Sequence, residues 1–599
     1  MQEYTTEGTI DITADANLTD LVWKNEREHA DHVIFNKRAN GGFTDVTSAQ
    51  FATEVRRLAA GLMDAGVGIG DRVALMSKTR YEWVLCDFAI WVAGAVTVPV
   101  YETSSAEQVE WILRDSGAVA AFVESPAHAE LVTSVRGADS TLHIWQFDAG
   151  DLATLARDVD ADDAELAARH RAVSKDDLAT IIYTSGTTGQ PKGCELTHEN
   201  LLYETYATGI SFGDFLNDKG SLLLFVPLAH VLGRATQLTC FNALTRTGHT
   251  PDIKNLVTEL AVFKPTFLLA VPRVFEKIYN SSKSKAHAGG KGAIFDRAEQ
   301  VAIAYSEALD SGGAGLPLKV QHFVFDKLVY AKIRHAMGGN VRTCVSGGAP
   351  LGARLGHFFR GIGVTILEGY GLTETSAGIA SNSTKELKVG SVGRPMVGDS
   401  ARIGADGEIL LKGGQIFRGY YNNEAATAAA FTDDGWFRTG DIGEIDSDGY
   451  LTITGRKKEI LVTAGGKNVA PAVLEDRLRA HALVSQCIVV GDGKPFIGAL
   501  VTIDPEALAA WRKQQGHTDS TDVADLVDDE ALRAEIQKAV TDANKAVSNA
   551  ESIKVFKILP VDFTEEGGQM TPSLKLKRSV VMSEFADDVD AIYASKADS

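Results

Sequence analysis

Residues 179–193 read ATIIYTSGTTGQPKG. The first five of them have the β-branched and aromatic composition of a buried strand. The segment after this strand contains glycines at 186, 189 and 193, four hydroxyl side chains and a single lysine, Lys192. Glycines let the backbone N–H groups turn toward a ligand, while hydroxyls and a lysine add donors and positive charge. The segment therefore predicts an anion-binding loop, and a triphosphate is the ligand that fits it best.

This loop differs from the Walker A loop of other nucleotide-binding proteins. A Walker A lysine is followed directly by Ser or Thr and by the start of a helix. Here Lys192 is followed by Gly193-Cys194-Glu195-Leu196, which predicts a second strand, and Thr197 is placed to cap the next helix. A flexible surface loop is the alternative, and the predicted strand on each side argues against it.

Composition and charge narrow the class of protein. The chain has 599 residues, 45% hydrophobic and 23% charged, as in soluble globular proteins, and its formal net charge is −20. That charge argues against nucleic acid as a partner. Five scattered cysteines and an N-terminus without a signal-peptide pattern predict a cytoplasmic protein. The longest apolar stretch, residues 88–100, is shorter than the ~18 residues of a membrane span, so no transmembrane segment is expected.

The first half of the chain alternates helical patterns with short runs rich in Val and Ile, which predicts βαβ units and mostly parallel sheets. The predicted helices cover residues 51–65, 83–95, 235–245 and 273–280, and the predicted strands cover 72–76, 96–100, 118–123, 222–226 and 267–271. Residues 281–315 have Gly-, Ser- and Lys-rich ends around a helical stretch. This composition predicts a mobile surface excursion.

The pattern changes after Ala401 to short alternating runs with Asp-Gly pairs at 406, 434 and 448, which predicts antiparallel hairpins. Beyond Gly455 we expect helices at 470–481 and 531–549 and strands at 487–490 and 497–503. The predicted fold is α/β, with a large multi-subdomain N-terminal body of mixed and parallel sheets, helices and a β-rich subdomain, and a small, mobile α+β C-terminal domain. The predicted domains are residues 1–454 and 455–599.

Further motifs follow the loop along the chain: FVPLAH at 225–230, SGGAP at 346–350, YGLTET at 370–375, WFRTGD at 436–441 and GRKKE at 455–459. Together with the loop, this ordered series resembles the adenylate-forming (AMP-binding) superfamily of acyl- and aryl-CoA synthetases, peptide-synthetase adenylation domains and firefly-type luciferases. The segments VPVYETSSAEQ at 98–108 and VPRVFEKI at 271–278 are most similar to the long-chain fatty acyl-CoA synthetases. The resemblance covers essentially the whole chain.

The resemblance implies a long-chain fatty acid–CoA ligase. Such an enzyme joins a fatty acid to the α-phosphate of ATP with release of pyrophosphate, and then transfers the acyl group from acyl-AMP to the CoA thiol. It uses ATP, Mg²⁺ and CoA, and contact with a membrane surface through the lipid substrate is compatible with it. Two alternatives remain open within the superfamily: a fatty acyl-AMP ligase that loads a carrier protein, and an aryl-CoA ligase. A lipid-binding protein without catalysis is disfavoured because the acidic and basic motif residues are present.

The resemblance also assigns roles to individual residues. Glu374 is the implied magnesium ligand and, with Thr184 and Lys575, one of the catalytic residues. The implied nucleotide-binding residues are Thr184, Ser185, Gly186, Thr187, Thr188, Lys192, Gly348, Tyr370, Gly371, Thr373, Asp441 and Arg456. Among them, Tyr370 is expected to stack on adenine and Asp441 to accept hydrogen bonds from both ribose hydroxyls.

The family's C-terminal adenylation lysine aligns with Lys575, although Leu574 replaces the usual glycine before it. Lys577 and Arg578 are basic neighbours, and the alternative interpretation is a cationic face at the start of a helix capped by Thr571 and Pro572. Lys458 lies where the family has its hinge. Two reaction steps with different requirements in one cleft favour a domain rotation about such a hinge.

The resemblance implies that the acyl channel includes His230, Val231 and Gly233. Another possible signal is the GxSxG pattern of hydrolases, which occurs once, at residues 209–213. A nucleophile elbow needs a strand before it and a helix after it. Here a predicted helix precedes the pattern, so we interpret the match as chance.

Overall fold

The computed structural model describes residues 2–39, 41–137, 141–184, 190–251, 255–516, 522–571 and 575–594. Its helices alternate with strands through most of the chain, and strands and helices are numbered below in chain order. The helices are α1 Asp20–His29, α2 Ser48–Asp64, α3 Tyr81–Val92, α4 Ala106–Ser116, α5 Pro126–Val135, α6 Asp151–Leu155, α7 Ala164–Ala172, α8 His198–Phe212, α9 Val231–Asn242, α10 Leu256–Phe263, α11 Pro272–Ala288, α12 Gly292–Asp310, α13 Leu316–Phe325, α14 Ala331–Ala336, α15 Ala353–Gly361, α16 Glu424–Ala430, α17 Pro471–Arg479, α18 Pro505–Gln515, α19 Glu530–Asn544, α20 Arg578–Glu584 and α21 Ala586–Ala594.

The first sheet carries the anion-binding strand. Its strands, in spatial order, are β19 Gly419–Tyr420, β9 Lys192–Thr197, β8 Leu178–Thr184, β5 Val96–Val100, β4 Arg72–Met76, β6 Ala120–Val123 and β7 His143–Gln146. Strands β8, β5, β4, β6 and β7 pair in parallel, whereas β8, β9 and β19 pair antiparallel. The predicted second strand after Lys192 is therefore confirmed, and a capping box at Thr197 starts α8 as predicted.

The second sheet is parallel at its centre and antiparallel at both edges. Its strands, in spatial order, are β16 Arg394–Pro395, β15 Ala377–Ser381, β14 Thr365–Leu372, β13 Thr343–Ser346, β12 Phe267–Ala270, β10 Ser221–Leu224, β11 Arg246–His249, β2 Val33–Ala39 and β3 Gly42–Thr47. The motifs SGGAP and YGLTET lie at the ends of the adjacent strands β13 and β14. The two sheets and their helices share one large apolar core.

A third, antiparallel sheet forms the β-rich part of the body. Its order is β1 Glu3–Thr5, β17 Ser400–Ile403, β18 Glu408–Lys412, β20 Phe437–Ile445 and β21 Leu451–Arg456. The predicted hairpins after Ala401 are confirmed, since β17, β18, β20 and β21 pair antiparallel in sequence. Beyond them lie β22 Leu461–Val462 with β23 Asn468–Val469, and a sheet of β24 Val484–Val490, β25 Ile497–Ile503 and β26 Ile553–Ile558.

The predicted fold class is confirmed by this arrangement of a large mixed body and a smaller α+β part. The apolar clusters of the smaller part contain only residues from Leu461 onward, whereas the large core ends at Ile453. Polar contacts join the two parts. Arg273 donates to Ser485 Oγ at 3.2 Å and lies 3.5 Å from Asp504 Oδ2.

Two other polar contacts cross between the parts. Arg354 Nη2 donates to the carbonyl of Ala480 at 3.1 Å, and Lys277 Nζ lies 3.4 Å from Glu506 Oε1. The hydrophobic clusters on either side remain separate. Among the residues that the structure describes, every helix is too short or too polar to cross a membrane.

The prediction of a mobile excursion at 281–315 was wrong over α12. Phe295, Ala298, Val301 and Ala302 on this helix are buried. The helix packs so closely on α15 that a Cβ at Gly361 would stand 2.0 Å from the carbonyl oxygen of Ala302. Glycine and lysine at the ends of the segment suggested a linker, but small and apolar residues at helical spacing give α12 a buried face.

Candidate active site

The anion-binding loop leaves the first sheet at Thr184 and returns at Lys192. These two residues are register partners, and Thr184 Oγ1 donates to the Lys192 carbonyl at 3.4 Å. The predicted phosphate-binding residues Ser185, Gly186, Thr187 and Thr188 lie outside the described residues. The side chain of Lys192 is exposed, and its ammonium lies 4.9 Å from the centre of the Tyr420 ring. The loop thus ends beside β19, which pairs with β9.

Tyr420 connects the loop to the implied metal ligand. Its hydroxyl donates a 2.7 Å hydrogen bond to Oε1 of Glu374. Burial and the nearby Glu374 carboxylate raise the pKa of Tyr420, so this hydroxyl stays protonated and remains a donor. The Phe417 N–H also donates to the Glu374 carbonyl at 2.8 Å. Lys192, Tyr420 and Glu374 thus form one continuous contact.

The backbone after Glu374 is held in an unusual conformation. Ser376 has φ = 53° and Ala377 has φ = 115°, a region that residues other than glycine rarely adopt. The Ser376 hydroxyl donates to the Gln415 carbonyl at 2.9 Å, which helps hold the turn. A Cβ at Gly371 would stand 1.5 Å from the carbonyl oxygen of Ala377, so glycine is required there by chain packing. The predicted residue Thr373 begins the 3₁₀ turn that carries Glu374.

The predicted adenine and ribose residues are in direct contact. Tyr370 Oη donates a 2.6 Å hydrogen bond to Oδ2 of Asp441, and Arg456 Nε lies 3.0 Å from Oδ1 of the same carboxylate. Asp441 and Arg456 face each other as register partners on β20 and β21. Burial and Asp441 raise the pKa of Tyr370. Burial alone would lower the pKa of Arg456, but Asp441 together with Glu459, Tyr370 and Glu374 outweighs burial, and the pKa is raised.

Lys575 comes to the same place from the C-terminal part. A Cβ at Gly348, whose φ of +85° favours glycine, would stand 3.6 Å from Lys575 Cε. Burial and the Arg456 charge lower the pKa of Lys575, while Asp441 and Glu374 oppose this shift. The Lys575 N–H donates to Thr571 Oγ1 and the Thr571 N–H donates to the Lys575 carbonyl. This lysine therefore stands in the electrostatic field of the other predicted residues.

The two basic neighbours of Lys575 have different surroundings. Arg578 donates to the Val489 carbonyl at 2.7 Å and pairs with Glu475, so its charge is used within the C-terminal part. The alternative of a helix capped by Thr571 was wrong, since α20 begins at Arg578 and its N-cap residue is Lys577. The predicted hinge residue Lys458 is exposed in the turn directly after β21, where the Glu459 N–H donates to the carbonyl of Arg456.

The predicted channel residues lie at the start of α9. His230 caps this helix, and its Nδ1 accepts from the Leu232 N–H at 3.1 Å. Burial, with a smaller effect of Lys575, lowers the pKa of His230 to about 3, so its ring is neutral at physiological pH. Val231 is buried in the core, and a Cβ at Gly233 would stand 2.5 Å from the Pro227 carbonyl oxygen. Close packing thus explains Gly233, and the channel stays a prediction.

Two observations test whether a nucleotide and Mg²⁺ suit these residues. The hydroxyl of Ser346, next to Gly347 and Gly348, is buried and has no partner among the described residues. Buried polar groups usually have a hydrogen-bond partner, so a polar ligand would satisfy this hydroxyl. No group of three or more His, Cys, Asp or Glu that could hold a metal occurs among the described residues. Mg²⁺ commonly binds one or two carboxylates together with substrate phosphates, so a single Glu374 fits it.

Comparison with known proteins decides the family. Residues 22–421 match the profile of the AMP-binding enzymes, and residues 458–597 match that of the AMP-binding enzyme C-terminal domain. The chain belongs to the AMP-binding enzyme family. Family relatives include the long-chain-fatty-acid–CoA ligase FadD15 of Mycobacterium tuberculosis, 54% identical over 99% of this chain and 100% of the relative. The long-chain-fatty-acid–CoA ligase ACSBG2 of Gallus gallus is 30% identical over 95% and 80%.

Solved structures of AMP-binding enzymes share this fold. The anthranilate CoA ligase AuaEII in complex with anthranoyl-AMP superposes with a TM-score of 0.74 at 20% identity, covering 98% of this chain and 99% of the other. The A domain of carboxylic acid reductase from Segniliparus rugosus, in complex with AMP and a carboxylic acid, gives 0.75 at 20% identity over 97% and 94%. These likenesses extend over both parts of the chain.

Sequence reasoning missed Tyr420 and a buried acidic pair behind the Glu374 turn. Glu204 on α8 and Asp399 before β17 are both buried, and burial raises the pKa of each to about 8, with Glu204 adding to the shift at Asp399. Gln415 Nε2 donates to Asp399 Oδ2 at 2.6 Å, and its backbone carbonyl holds Ser376. No motif marks these residues; the only signal was two acids in otherwise apolar surroundings.

Proposed function

We propose that this chain is a long-chain fatty acid–CoA ligase that forms acyl-AMP from a fatty acid and ATP and then transfers the acyl group to CoA. The observation that carries the proposal is the convergence of Lys575 with Glu374, Asp441 and Arg456 at one place in the fold. The chain's full-length similarity to ligases named for this activity supports it. The proposed division into domains at residue 455 places Lys575 and Arg456 in the C-terminal domain and the other nucleotide residues in the N-terminal domain.

The chemical problem in the first step is repulsion between anions. A carboxylate approaching a phosphate at 4 Å is opposed by about 4 kcal/mol per pair of charges at an effective dielectric of 20. We assign Lys575 to neutralise the carboxylate and α-phosphate oxygens while the new bond forms between a carboxylate oxygen and the α-phosphorus, and Lys192 to hold the pyrophosphate that leaves. Mg²⁺ would neutralise further phosphate charge, and Glu374 is the carboxylate that would hold it.

The nucleoside would be held by the pair that the structure already connects. Asp441 accepts from Tyr370 and Arg456 through different oxygens, so its orientation is fixed before a ligand binds. The Asp441 carboxylate therefore loses little conformational entropy when a ribose hydroxyl binds it. The Tyr370 ring is assigned to adenine, Gly348, Gly371 and Thr373 to the surrounding backbone, and Thr184 with its loop to the phosphates.

The second step needs Lys575 to leave and the CoA thiol to enter. We assign the change to rotation about Lys458, which lies in an exposed turn between β21 and the C-terminal part. The contacts of Arg273, Arg354 and Lys277 across the two parts are polar, so they can break and re-form in water at modest cost. His230, Val231 and Gly233 are assigned to the entrance of the acyl channel.

One assay separates this proposal from its alternatives. Pyrophosphate release is measured with ATP and either palmitate or an aromatic acid, with and without CoA, and the acyl product is identified. We expect sustained turnover only with CoA, and palmitoyl-CoA as the product. Sustained release without CoA would favour an acyl-AMP ligase, preference for an aromatic acid would favour an aryl-CoA ligase, and no release would leave a lipid-binding protein. We further propose a cytoplasmic enzyme that contacts membranes peripherally to reach its lipid substrate.

A further inference from the structure

The helix pair α13 and α14 forms one continuous helical rod, joined by a π-helical turn at Asp326–Tyr330. None of the residues of α13 is buried. Large apolar side chains cover the outer side of α13 and of the π-helical turn after it, at helical spacing. They are Leu316, Val320, Phe323, Val324 and Leu328, with exposed fractions of 75%, 57%, 61%, 47% and 50%. We call this set the α13 face.

The inner side of the same rod is firmly attached to the body. His322 Nε2 donates to the Gly361 carbonyl at 2.6 Å, and its ring stacks on Tyr305 with centroids 3.9 Å apart. Tyr330 Oη donates to the Ala298 carbonyl at 2.7 Å. The rod is therefore ordered and oriented, with its polar and aromatic contacts on one side and the α13 face on the other. The α13 face is therefore already folded before any partner binds.

Basic residues surround the α13 face. Residues 315–342 contain five basic residues and one acid, a net charge of +4 in a chain of −20. The acid, Asp326, is paired with Arg334 at 2.7 Å. Lys319, Lys327 and Lys332 are exposed, and none of these three forms an ion pair with another residue in the described part of the chain. The Lys327 ammonium lies 4.8 Å from the centre of the Phe323 ring, so charge and apolar surface are contiguous.

A second copy of the chain fits this face poorly. A two-fold dimer through the α13 face would bring the face against itself and place two positively charged rims in contact. An anionic surface that is apolar just below its charges matches both features. Interfacial helices combine an apolar face with flanking lysines in this way, and each lysine near such a surface adds favourable attraction. The anionic surface would repel the acidic remainder of the chain, so the α13 face would set the orientation of the protein on that surface.

We propose that the α13 face docks the enzyme on an anionic lipid bilayer. The five apolar side chains enter the boundary between headgroups and acyl chains, and Lys319, Lys327 and Lys332 contact lipid phosphates. The inference deepens the proposed function by naming the surface that contacts the membrane. It rests on that function only for the purpose of docking, which is access to the lipid substrate. The docking itself depends on the α13 face and its charges.

The test measures flotation of the full chain with phosphatidylcholine vesicles, with and without phosphatidylglycerol. We expect binding that requires phosphatidylglycerol and weakens with salt. Val320→Ser with Phe323→Ser should lower the partition coefficient by about tenfold or more, and Lys319→Glu with Lys327→Glu by at least about fivefold per lysine. The matched controls are Ile210→Ser and Lys385→Glu, exposed by 58% and 79% elsewhere on the surface.

The outcomes separate cleanly. Absence of wild-type binding, or equal losses in the control variants, overturns the proposal. So does a change in oligomeric state of the Val320→Ser, Phe323→Ser variant without a change in vesicle binding, which would assign the face to a second copy. Ligase activity on palmitate supplied without vesicles is measured in parallel and should be unchanged in every variant. If the wild type lacks that activity but floats with vesicles, the proposed function fails and the docking stands.

Discussion

Tyr370 and Asp441, 71 residues apart in the chain, are joined by a 2.6 Å hydrogen bond from the tyrosine hydroxyl to Oδ2. The bond links the second sheet to the antiparallel sheet, and Arg456 occupies the other carboxylate oxygen. Because burial and Asp441 keep Tyr370 protonated, the bond is retained at any physiological pH. The two residues assigned to adenine and ribose are therefore positioned by each other, which makes their energetic coupling measurable.

The first prediction concerns that coupling. Asp441→Asn keeps the shape of the side chain but removes the charge that faces Arg456, and we expect the KM for ATP to rise about 10- to 100-fold. Tyr370→Phe should raise it less. In the double variant the effects should be less than additive, because both changes break the same hydrogen bond. Strictly additive effects on the KM for ATP would argue against the shared role.

Lys575→Ala should separate the two reaction steps. We expect acyl-AMP formation to fall by about 1,000-fold, in the range seen when a transition-state charge contact is lost, while transfer from supplied acyl-AMP to CoA is largely retained. Single-turnover assays of each step make the comparison. Lys577→Ala, a neighbouring lysine, is the control and should change neither step strongly. Equal losses in both steps of Lys575→Ala would contradict the assignment.

Tyr420→Phe tests the contact with Glu374. The change removes the hydroxyl that donates at 2.7 Å but keeps the ring beside Lys192. Outer-shell partners of metal ligands typically contribute 10- to 100-fold to metal affinity or activity, so the Mg²⁺ concentration for half-maximal adenylation should rise by about that factor. Tyr421→Phe is the matched control. An unchanged Mg²⁺ dependence would show that the Tyr420 hydroxyl does not support the metal ligand and that the residue acts only by packing.

The buried pair Glu204 and Asp399 predicts a pH dependence of stability. Both pKa values are raised to about 8 from an ordinary value near 4, so the folded state holds protons that the unfolded chain has released. The stabilisation is complete below about pH 4 and is lost progressively as the pH rises to about 8. Glu204→Gln keeps the size and removes the titration, which should raise the unfolding midpoint at about pH 9 by roughly 2 °C.

Differential scanning calorimetry between about pH 6 and 9 provides this measurement, at one scan rate for all variants. Glu307→Gln, an exposed acid on α12, is the control and should follow the wild-type curve. A wild-type curve that rises with pH, or a Glu204→Gln curve parallel to it, would show that the pair carries no proton between these values.

Lys458→Pro tests the proposed hinge by restricting the backbone directly after β21. We expect transfer to CoA to slow by at least about tenfold and adenylation to change little, because only the second step requires the rotation. Lys458→Ala removes the charge without restricting the chain and should affect neither step. Rapid-quench measurements on both variants decide between a backbone and a charge effect, and an unaffected second step in Lys458→Pro refutes the hinge.

Local sequence patterns predicted part of this structure very well. The strands Arg72–Met76, Val96–Val100 and Ile497–Ile503 were predicted to the residue, because each is a fully or almost fully buried aliphatic run with sharp ends. Helix ends were less accurate: α3 begins at Tyr81 and not at residue 83. Its first turn contains polar residues that periodicity alone leaves outside the helix.

The candidate site was only partly readable from the sequence. Motif residues such as Asp441 and Lys575 were found because each lies in a recognisable segment. The hydrogen bond between Tyr420 and Glu374 joins residues 46 positions apart, one on β19 and the other in the 3₁₀ turn between β14 and β15, and no local pattern reports it. The same holds for Asp399 and Gln415, whose pairing depends on how the chain folds back behind the Glu374 turn. Such contacts depend on tertiary packing.

The polar contact between the two parts of the chain has a thermodynamic consequence. The heat capacity of a protein rises when apolar surface becomes exposed to water. The apolar clusters on the two sides are separate, and Arg273, Arg354 and Lys277 join the parts through polar groups. Separation of the two parts should therefore leave the heat capacity almost unchanged. A plot of the logarithm of the separation equilibrium constant against reciprocal temperature should then be close to linear, and this constant should depend more strongly on ionic strength than on heat-capacity effects.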